Sequence, residues 1–271
     1  MSLFVRSSIL LLALVGMAHA GEFEDIRFTA RHDGSEQRYV VLRPEGFRAD
    51  EPHDLLIALH GHGADRWQFP RDARDECRGA RDAAAKYGMI FVSPDYRART
   101  SWMGPLAESD LLQILDDLRQ TYRVGKIVIS GGSMGGTSAL TFAALHPDRV
   151  DGVVALNGLA NHLEYEGFQD AIGASFGGSK IEKPEEYKKR SAEYWPERLT
   201  MPIALTTGGR DTAVQPDSVQ RLAKVLTRLE RPVLLLHRPE GGHATDLADT
   251  LAAYSFVIEK VRAPEPRAKE R

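Results

Sequence analysis

Ile127-Val128-Ile129-Ser130-Gly131-Gly132-Ser133-Met134-Gly135-Gly136 decides the reading of this chain. A continuous apolar run opens it, as a strand buried on both faces requires. Gly131-x-Ser133-x-Gly135 follows at once, and a helical pattern runs on from about Met134 through Ala144. A serine on a sharp turn between strand and helix projects its hydroxyl above the sheet. Glycines two residues to either side let strand and helix approach closely. The helix N-terminus adds a positive dipole and unbonded N–H groups where an oxyanion would form. A helix N-cap serine in a Gly-rich turn is the plainer alternative. A phosphate-cradling loop is excluded, because no Lys follows the glycines as that motif demands. Ser133 is the predicted nucleophile.

A serine hydroxyl is a weak nucleophile and needs a base oriented by a third group. Around such a turn the partners follow in the order Ser, acid, His. His146 opens the His-Pro-Asp that ends the nucleophile helix, His162 lies in a long irregular segment, and His237 belongs to the last apolar run. His243 sits after that run, in Glu240-Gly241-Gly242-His243-Ala244, and is the predicted base. Asp211, in Thr207-Gly208-Gly209-Arg210-Asp211 after the run Ile203–Leu205, is the predicted acid. Asp217 is its rival, but reads more simply as an early acidic residue of a helix opened by Pro216. Glu240 is too close to His243 along one turn. His60-Gly61-His62-Gly63 follows Leu55–Leu59. A loop there supplies one oxyanion donor, the other coming from the residue after the nucleophile. The expected donors are a backbone N–H near His62 and that of Met134. His-x-His also suits zinc, but dinuclear hydrolases require an acid and a His where Ala64 and Asp65 stand. Neither metal nor cofactor is expected.

Outward from this core, apolar runs recur at Leu55–Leu59, Met89–Val92, Val153–Leu156, Ile203–Leu205 and Val233–Leu236. Helical spacing marks Leu111, Leu112, Leu115 and Leu118, and again Leu222, Val225, Leu226 and Leu229. Such alternation predicts an α/β fold, a mostly parallel sheet with helices on both faces. Ile26–Thr29 and Arg38–Leu42 alternate with period two around Asp33-Gly34, predicting an antiparallel edge hairpin. The segment 157–196 is too long for a plain connection and is expected to form a small cap at the substrate site. Trp195, Tyr194, Phe168 and Phe176 favour packing over a loose loop. Asp95, Tyr96, Arg97 and Trp102 follow another run at the same end of the sheet, as pocket lining or as support.

The N-terminus carries Arg6, an apolar stretch Ile9–Met17 and Ala18-His19-Ala20. This reads as a signal peptide over 1–20, cleaved before Gly21 for secretion or a periplasmic location. The stretch is shorter than the about 20 apolar residues that span a bilayer, so no integral span is expected after cleavage. The remaining domain is placed at 21–262, with a charged, Pro-containing tail at 263–271. Cys77 is the single cysteine and lies in a polar stretch, so it is neither an internal disulfide partner nor the expected nucleophile. A net charge of −3 without a basic stripe speaks against nucleic acid or an anionic membrane surface as partner.

With HGHG, GGSMGG, GGRD and GGH in this order, the chain resembles the α/β-hydrolase superfamily over roughly Leu55 to Val257. It is nearest to the secreted esterase and prolyl-oligopeptidase-like (S9-like) group. The resemblance implies the α/β-hydrolase fold and acyl transfer through Ser133, His243 and Asp211. It implies the substrate only weakly, since one fold hosts many activities. Peptidases of that group carry a large extra β domain, for which these residues leave no room. The expected substrate is therefore an ester, small or on a polysaccharide. A small serine peptidase and a non-catalytic binding protein on the same fold are the alternatives.

Overall fold

A computed structural model describes residues 22–264. The expected leader over 1–20 and residues 265–271 of the expected tail lie outside the described residues. Eight strands form one sheet: β1 (Glu24–Thr29), β2 (Glu36–Leu42), β3 (His53–Leu59), β4 (Ile90–Pro94), β5 (Val124–Gly132), β6 (Gly152–Leu156), β7 (Ile203–Gly208) and β8 (Val233–Arg238). Their spatial order is β1-β2-β4-β3-β5-β6-β7-β8. Strands β3 to β8 pair in parallel, whereas β2 runs antiparallel to both β1 and β4. The hairpin expected around Asp33-Gly34 therefore extends a parallel sheet. Gly34 takes a positive φ of 75° in its turn, and Asp33 Oδ1 accepts the Ser35 N–H at 3.1 Å.

The helices are α1 (Gln68–Arg71), α2 (Asp75–Lys86), α3 (Pro105–Thr121), α4 (Met134–Leu145), α5 (Gln169–Phe176), α6 (Pro184–Lys189), α7 (Asp217–Arg228) and α8 (Leu247–Arg262). Period-two alternation along each strand sends neighbouring side chains into two cores. Leu55, Ile57, Leu59, Ile127, Ile129 and Leu205 meet α3, α4 and α7 through Leu111, Leu115, Leu140, Phe142, Leu222 and Leu226. Leu56, Ala58, Val128 and Val154 meet α2 and α8 through Cys77, Ala80, Ala83, Tyr254 and Val257. Complete burial of one such aliphatic side chain contributes about 1.5–3 kcal/mol. Helix α8 carried no expectation from the sequence. Asp246 caps its start by accepting the Asp249 N–H at 2.8 Å. Among the described residues no helix is long and apolar enough to cross a membrane.

The stretch between β6 and β7 holds α5, α6 and two short 3₁₀ turns, Ala192–Tyr194 and Pro196–Arg198. Tyr165, Ile172, Phe176, Tyr187 and Leu199 from this stretch are buried in the first core. Of the four aromatics expected to pack there, Phe176 is buried and Trp195 half-buried, while Phe168 and Tyr194 are 44% and 41% exposed. Arg190 fastens the stretch to the body. Its guanidinium donates to Glu186 at 2.6 Å, to Glu108 of α3 at 2.7 Å and to the Met103 carbonyl at 2.5 Å. Its own carbonyl accepts from Thr141 Oγ1 of α4 at 2.8 Å.

Candidate active site

Ser133 stands at the junction of β5 and α4 with φ 56° and ψ −121°. A non-glycine residue held there stores on the order of 1–3 kcal/mol of strain. Backbone bonds hold it in place: the Ser133 N–H donates to Leu156 O at 2.8 Å, and Ser133 O accepts from Thr137 N at 3.0 Å. The flanking glycines are needed for space. A β-carbon on Gly131 would collide with the Gly135 backbone, and one on Gly135 would collide with the Leu59 carbonyl of β3.

Asp211 and His243 are carried on loops after β7 and β8 that lie against each other. A β-carbon on Gly208 would meet the Gly241 and Gly242 carbonyls, and one on Gly209 that of Pro239. Arg210 N–H donates to Gly241 O at 2.8 Å, and Gly209 N–H to Arg238 O at 2.8 Å. This close backbone contact brings the acid and the imidazole together. Asp211 Oδ2 lies 2.6 Å from His243 Nδ1, and His243 Nε2 lies 2.8 Å from Ser133 Oγ. A carboxylate only accepts, so Nδ1 carries the proton and donates to Asp211. Nε2 is then the acceptor for the Ser133 hydroxyl. Oδ1 of Asp211 accepts from Ala213 N and Val214 N, both at 2.9 Å, which fixes the carboxylate plane.

The other residues weighed from the sequence lie elsewhere. Asp217 opens α7 and lines a separate cavity with Tyr165 and Arg221. Glu240 pairs with Arg210 at the surface. His146 ends α4 and bonds Glu108 at 2.8 Å. His237 lies on β8 beside Thr207 Oγ1 at 2.9 Å. His162 is fully buried between Trp102 and Phe176, and among the described residues neither of its ring nitrogens has a partner. Burial, with a smaller contribution from nearby Arg190, lowers its pKa to about 3. Cys77 is buried on α2, and burial pushes its thiol up to about 12.

The HGHG loop borders the serine. His62 and Ser133 line one cavity of about 260 Å³, together with Gln68, Phe69 and Phe168. Within the loop, Gly61 N–H donates to Gln68 Oε1 at 2.7 Å. Gly63 N–H donates to Arg99 O at 2.8 Å, and Ala64 N–H to Gly61 O at 3.2 Å. Among the described residues the N–H of His62 has no acceptor, which sets it apart from its neighbours. Met134 is the first residue of α4, so its N–H has no carbonyl one turn earlier in the helix. The two histidine rings have separate surroundings. His60 is buried and bonds Gly61 O at 2.9 Å and Asp95 O at 3.0 Å. His62 Nδ1 accepts from Trp102 Nε1 at 3.2 Å, and Phe168 covers the ring at 4.2 Å between centroids. Among the described residues no three His, Cys, Asp or Glu side chains converge as metal ligands do.

The loop after β4 supports the site. Asp95 accepts from Arg66 at 3.0 Å, Tyr96 OH donates to His60 O at 2.5 Å, and Arg97 pairs with Asp110 at 2.5 Å. Trp102, fully buried, orients His62. Sequence reasoning missed Glu76. Its Oε1 accepts from Thr245 N at 2.9 Å and from Asn157 Nδ2 at 3.1 Å, and burial raises its pKa. Asn157 Nδ2 also donates to Thr245 Oγ1 at 2.8 Å, and Thr245 Oγ1 meets Thr206 Oγ1 at 2.6 Å. This network braces the His243 loop from α2, β6 and β7.

Residues 103–260 match the model of the prolyl oligopeptidase family, peptidase S9. Among curated proteins no match is found. Solved structures give the same fold at low identity. FphF, a fluorophosphonate-binding serine hydrolase of Staphylococcus aureus, aligns with 18% identity and a TM-score of 0.69 over 90% of this chain and 100% of its own. S-formylglutathione hydrolase (FrmB) of the same organism aligns with 18% identity and a TM-score of 0.66 over 89% and 100%. An acylaminoacyl peptidase of Pyrococcus horikoshii aligns with 18% identity and a TM-score of 0.68 over 91% of this chain and 43% of its own. The chain spans 35–43% of the length of the peptidases it matches. It belongs to the prolyl oligopeptidase family and is a serine hydrolase of the α/β-hydrolase fold.

Proposed function

We propose that this protein is an exported carboxylic ester hydrolase working through a Ser133–His243–Asp211 triad. The observation that carries the reading is the hydrogen-bonded row from Asp211 through His243 to Ser133, at 2.6 and 2.8 Å. His243 Nε2 takes the hydroxyl proton as Ser133 Oγ attacks the ester carbonyl. Asp211 stabilises the imidazolium that forms. The N–H groups of His62 and Met134 hold the oxyanion, each donor contributing on the order of 2.7–4 kcal/mol. Collapse breaks the ester C–O bond, and Nε2 gives its proton to the leaving alcohol. Water, activated by the same imidazole, then releases the acid from the acyl-enzyme.

An ester rather than a peptide is favoured by the two hydrolases matched along their full length, neither of which is named as a peptidase. Acyl groups on polysaccharides are one substrate class within the proposal. The family's description favours a peptidase as the second reading. A panel of p-nitrophenyl esters, acylated polysaccharides and peptide anilides separates the two, and turnover of peptides alone would replace the proposal. Fluorophosphonate labelling is expected on wild type and not on Ser133→Ala. Absence of label on the wild type would favour a binding protein. Export predicts that secreted material begins at Gly21, and a mature chain starting at Met1 would refute it.

A further inference from the structure

Two cavities meet at His243. The first, of about 260 Å³, contains Ser133. The second, of about 550 Å³, lies along Asn157, Thr206, Thr245 and Asp246 and does not reach Ser133. Arg74, Glu76 and His243 line both. On the ester reading above, the leaving alcohol must lie within reach of His243 Nε2, which returns the proton to it. An alcohol so placed extends along the wall that the two cavities share, and Glu76 is on that wall.

The two carboxyl oxygens of Glu76 have different surroundings. Oε1 accepts two hydrogen bonds of the bracing network, from Thr245 N and Asn157 Nδ2. Oε2 accepts none among the described residues. It lies 3.3 Å from the place a β-carbon would take on Gly132, the residue before Ser133. Arg74, the cation on the same wall, is engaged by Asp72 at 2.6 Å. Oε2 therefore faces the shared cavity wall with its lone pairs free of any donor among the described residues, where a ligand hydroxyl can supply one.

We infer that Glu76 Oε2 accepts a hydrogen bond from a hydroxyl on the leaving alcohol next to the scissile ester, so that the substrate class is esters of polyols such as partly acylated carbohydrates. This inference rests on the ester reading. Glu76 is then a specificity-determining residue whose first oxygen holds the His243 loop and whose second selects the alcohol.

The test compares kcat/KM for 2-hydroxyethyl acetate and 2-methoxyethyl acetate. These two differ in the donor and little in size or leaving-group acidity. Wild type is expected to favour the hydroxyl ester by about tenfold or more, as a hydrogen bond to a charged acceptor allows. Glu76→Gln keeps an acceptor for Thr245 and Asn157 and puts a donor in place of Oε2. Its ratio is expected to fall within about twofold of unity. Equal rates with the two esters in wild type overturn the inference without any variant, and a ratio preserved in Glu76→Gln does the same. In either case hydrolysis of 2-methoxyethyl acetate and labelling of Ser133 by fluorophosphonate would leave the ester reading standing. If neither ester is hydrolysed and Ser133 is not labelled, the ester reading fails and the inference falls with it.

Discussion

Asp211→Asn tests the proposed triad at the residue whose replacement geometry is most constrained. Oδ1 of Asp211 accepts two backbone N–H groups, those of Ala213 and Val214, each at 2.9 Å. An asparagine has one carbonyl oxygen and one NH₂ group to distribute. With NH₂ towards the backbone, donors would oppose donors and both N–H groups would lose their acceptor, at about 1–3 kcal/mol for each buried group. The carbonyl oxygen therefore takes the Oδ1 place, and NH₂ faces His243 Nδ1. Since NH₂ only donates, the imidazole must turn its lone pair to Nδ1 and carry its proton on Nε2. Ser133 Oγ, 2.8 Å away, then meets a proton where it needs a base. A tautomer reversed in this way lowers kcat about 10,000-fold, which is about 5.4 kcal/mol of barrier. Initial rates on p-nitrophenyl acetate and the rate of fluorophosphonate labelling measure the loss, with the melting temperature as a check on folding. Asp217→Asn is the control. Asp217 lines another cavity, so its kcat should stay within about twofold of wild type, as for surface positions away from a site. A folded Asp211→Asn enzyme within tenfold of wild type, or an equal loss in Asp217→Asn, would refute the reasoning.

Three further outcomes are expected. Gly135→Ala drives a methyl group into the Leu59 carbonyl, so it should lower stability by about 1–3 kcal/mol or more and displace Ser133; an unchanged denaturant midpoint would count against the close-approach argument. Cys77, buried with its thiol pushed up to about 12, should resist an aromatic disulfide reagent in the native protein and react on unfolding; rapid native labelling would contradict it. His162 is held neutral in the fold, whereas the unfolded chain protonates it below about pH 6.5, so its contribution is present at neutral pH and lost as pH falls from about 6.5 towards its folded value of about 3. The slope is about 1.4 kcal/mol per pH unit, and His162→Leu should flatten the fall in melting temperature between pH 7 and 4.5; parallel curves would argue otherwise.

The strained turn at Ser133 was legible because its demands are local. Gly131, Ser133 and Gly135 lie within five residues, and the collisions their substitution would cause involve the turn itself and one adjacent strand. That Asp211 and His243 meet was legible from order along the chain, each in a Gly-Gly turn after an apolar strand, and the two turns touch. The strands were legible for the same reason, since burial on both faces leaves uninterrupted apolar runs. Glu76 was not legible. In sequence it is one more acidic residue at the start of a charged helix, and its role arises from partners 81 and 169 positions away. In sequence the loop after β4 fits pocket lining and support equally, and only the fold shows Asp95, Tyr96 and Arg97 occupied by Arg66, His60 and Asp110. The aromatics between β6 and β7 were read together, although only contact with Trp102 and His62 tells the exposed Phe168 from the buried Phe176.

The fastening of Arg190 has a kinetic consequence. Swinging the stretch between β6 and β7 away from the body would strip a buried guanidinium of Glu108 and the Met103 carbonyl together. Glu186 would move with the guanidinium, but the two charge-assisted hydrogen bonds left behind are worth about 1.5–3 kcal/mol each, which holds the population of such an excursion below about one per cent. Traffic to Ser133 is then left to what can move without breaking that tie. The half-exposed ring of Phe168 over His62 is the readiest part, and exposed side chains rotate in picoseconds to nanoseconds rather than the microseconds to milliseconds of a hinged segment. On the proposed function, access to Ser133 would then wait on rotation of a ring rather than on a hinged segment.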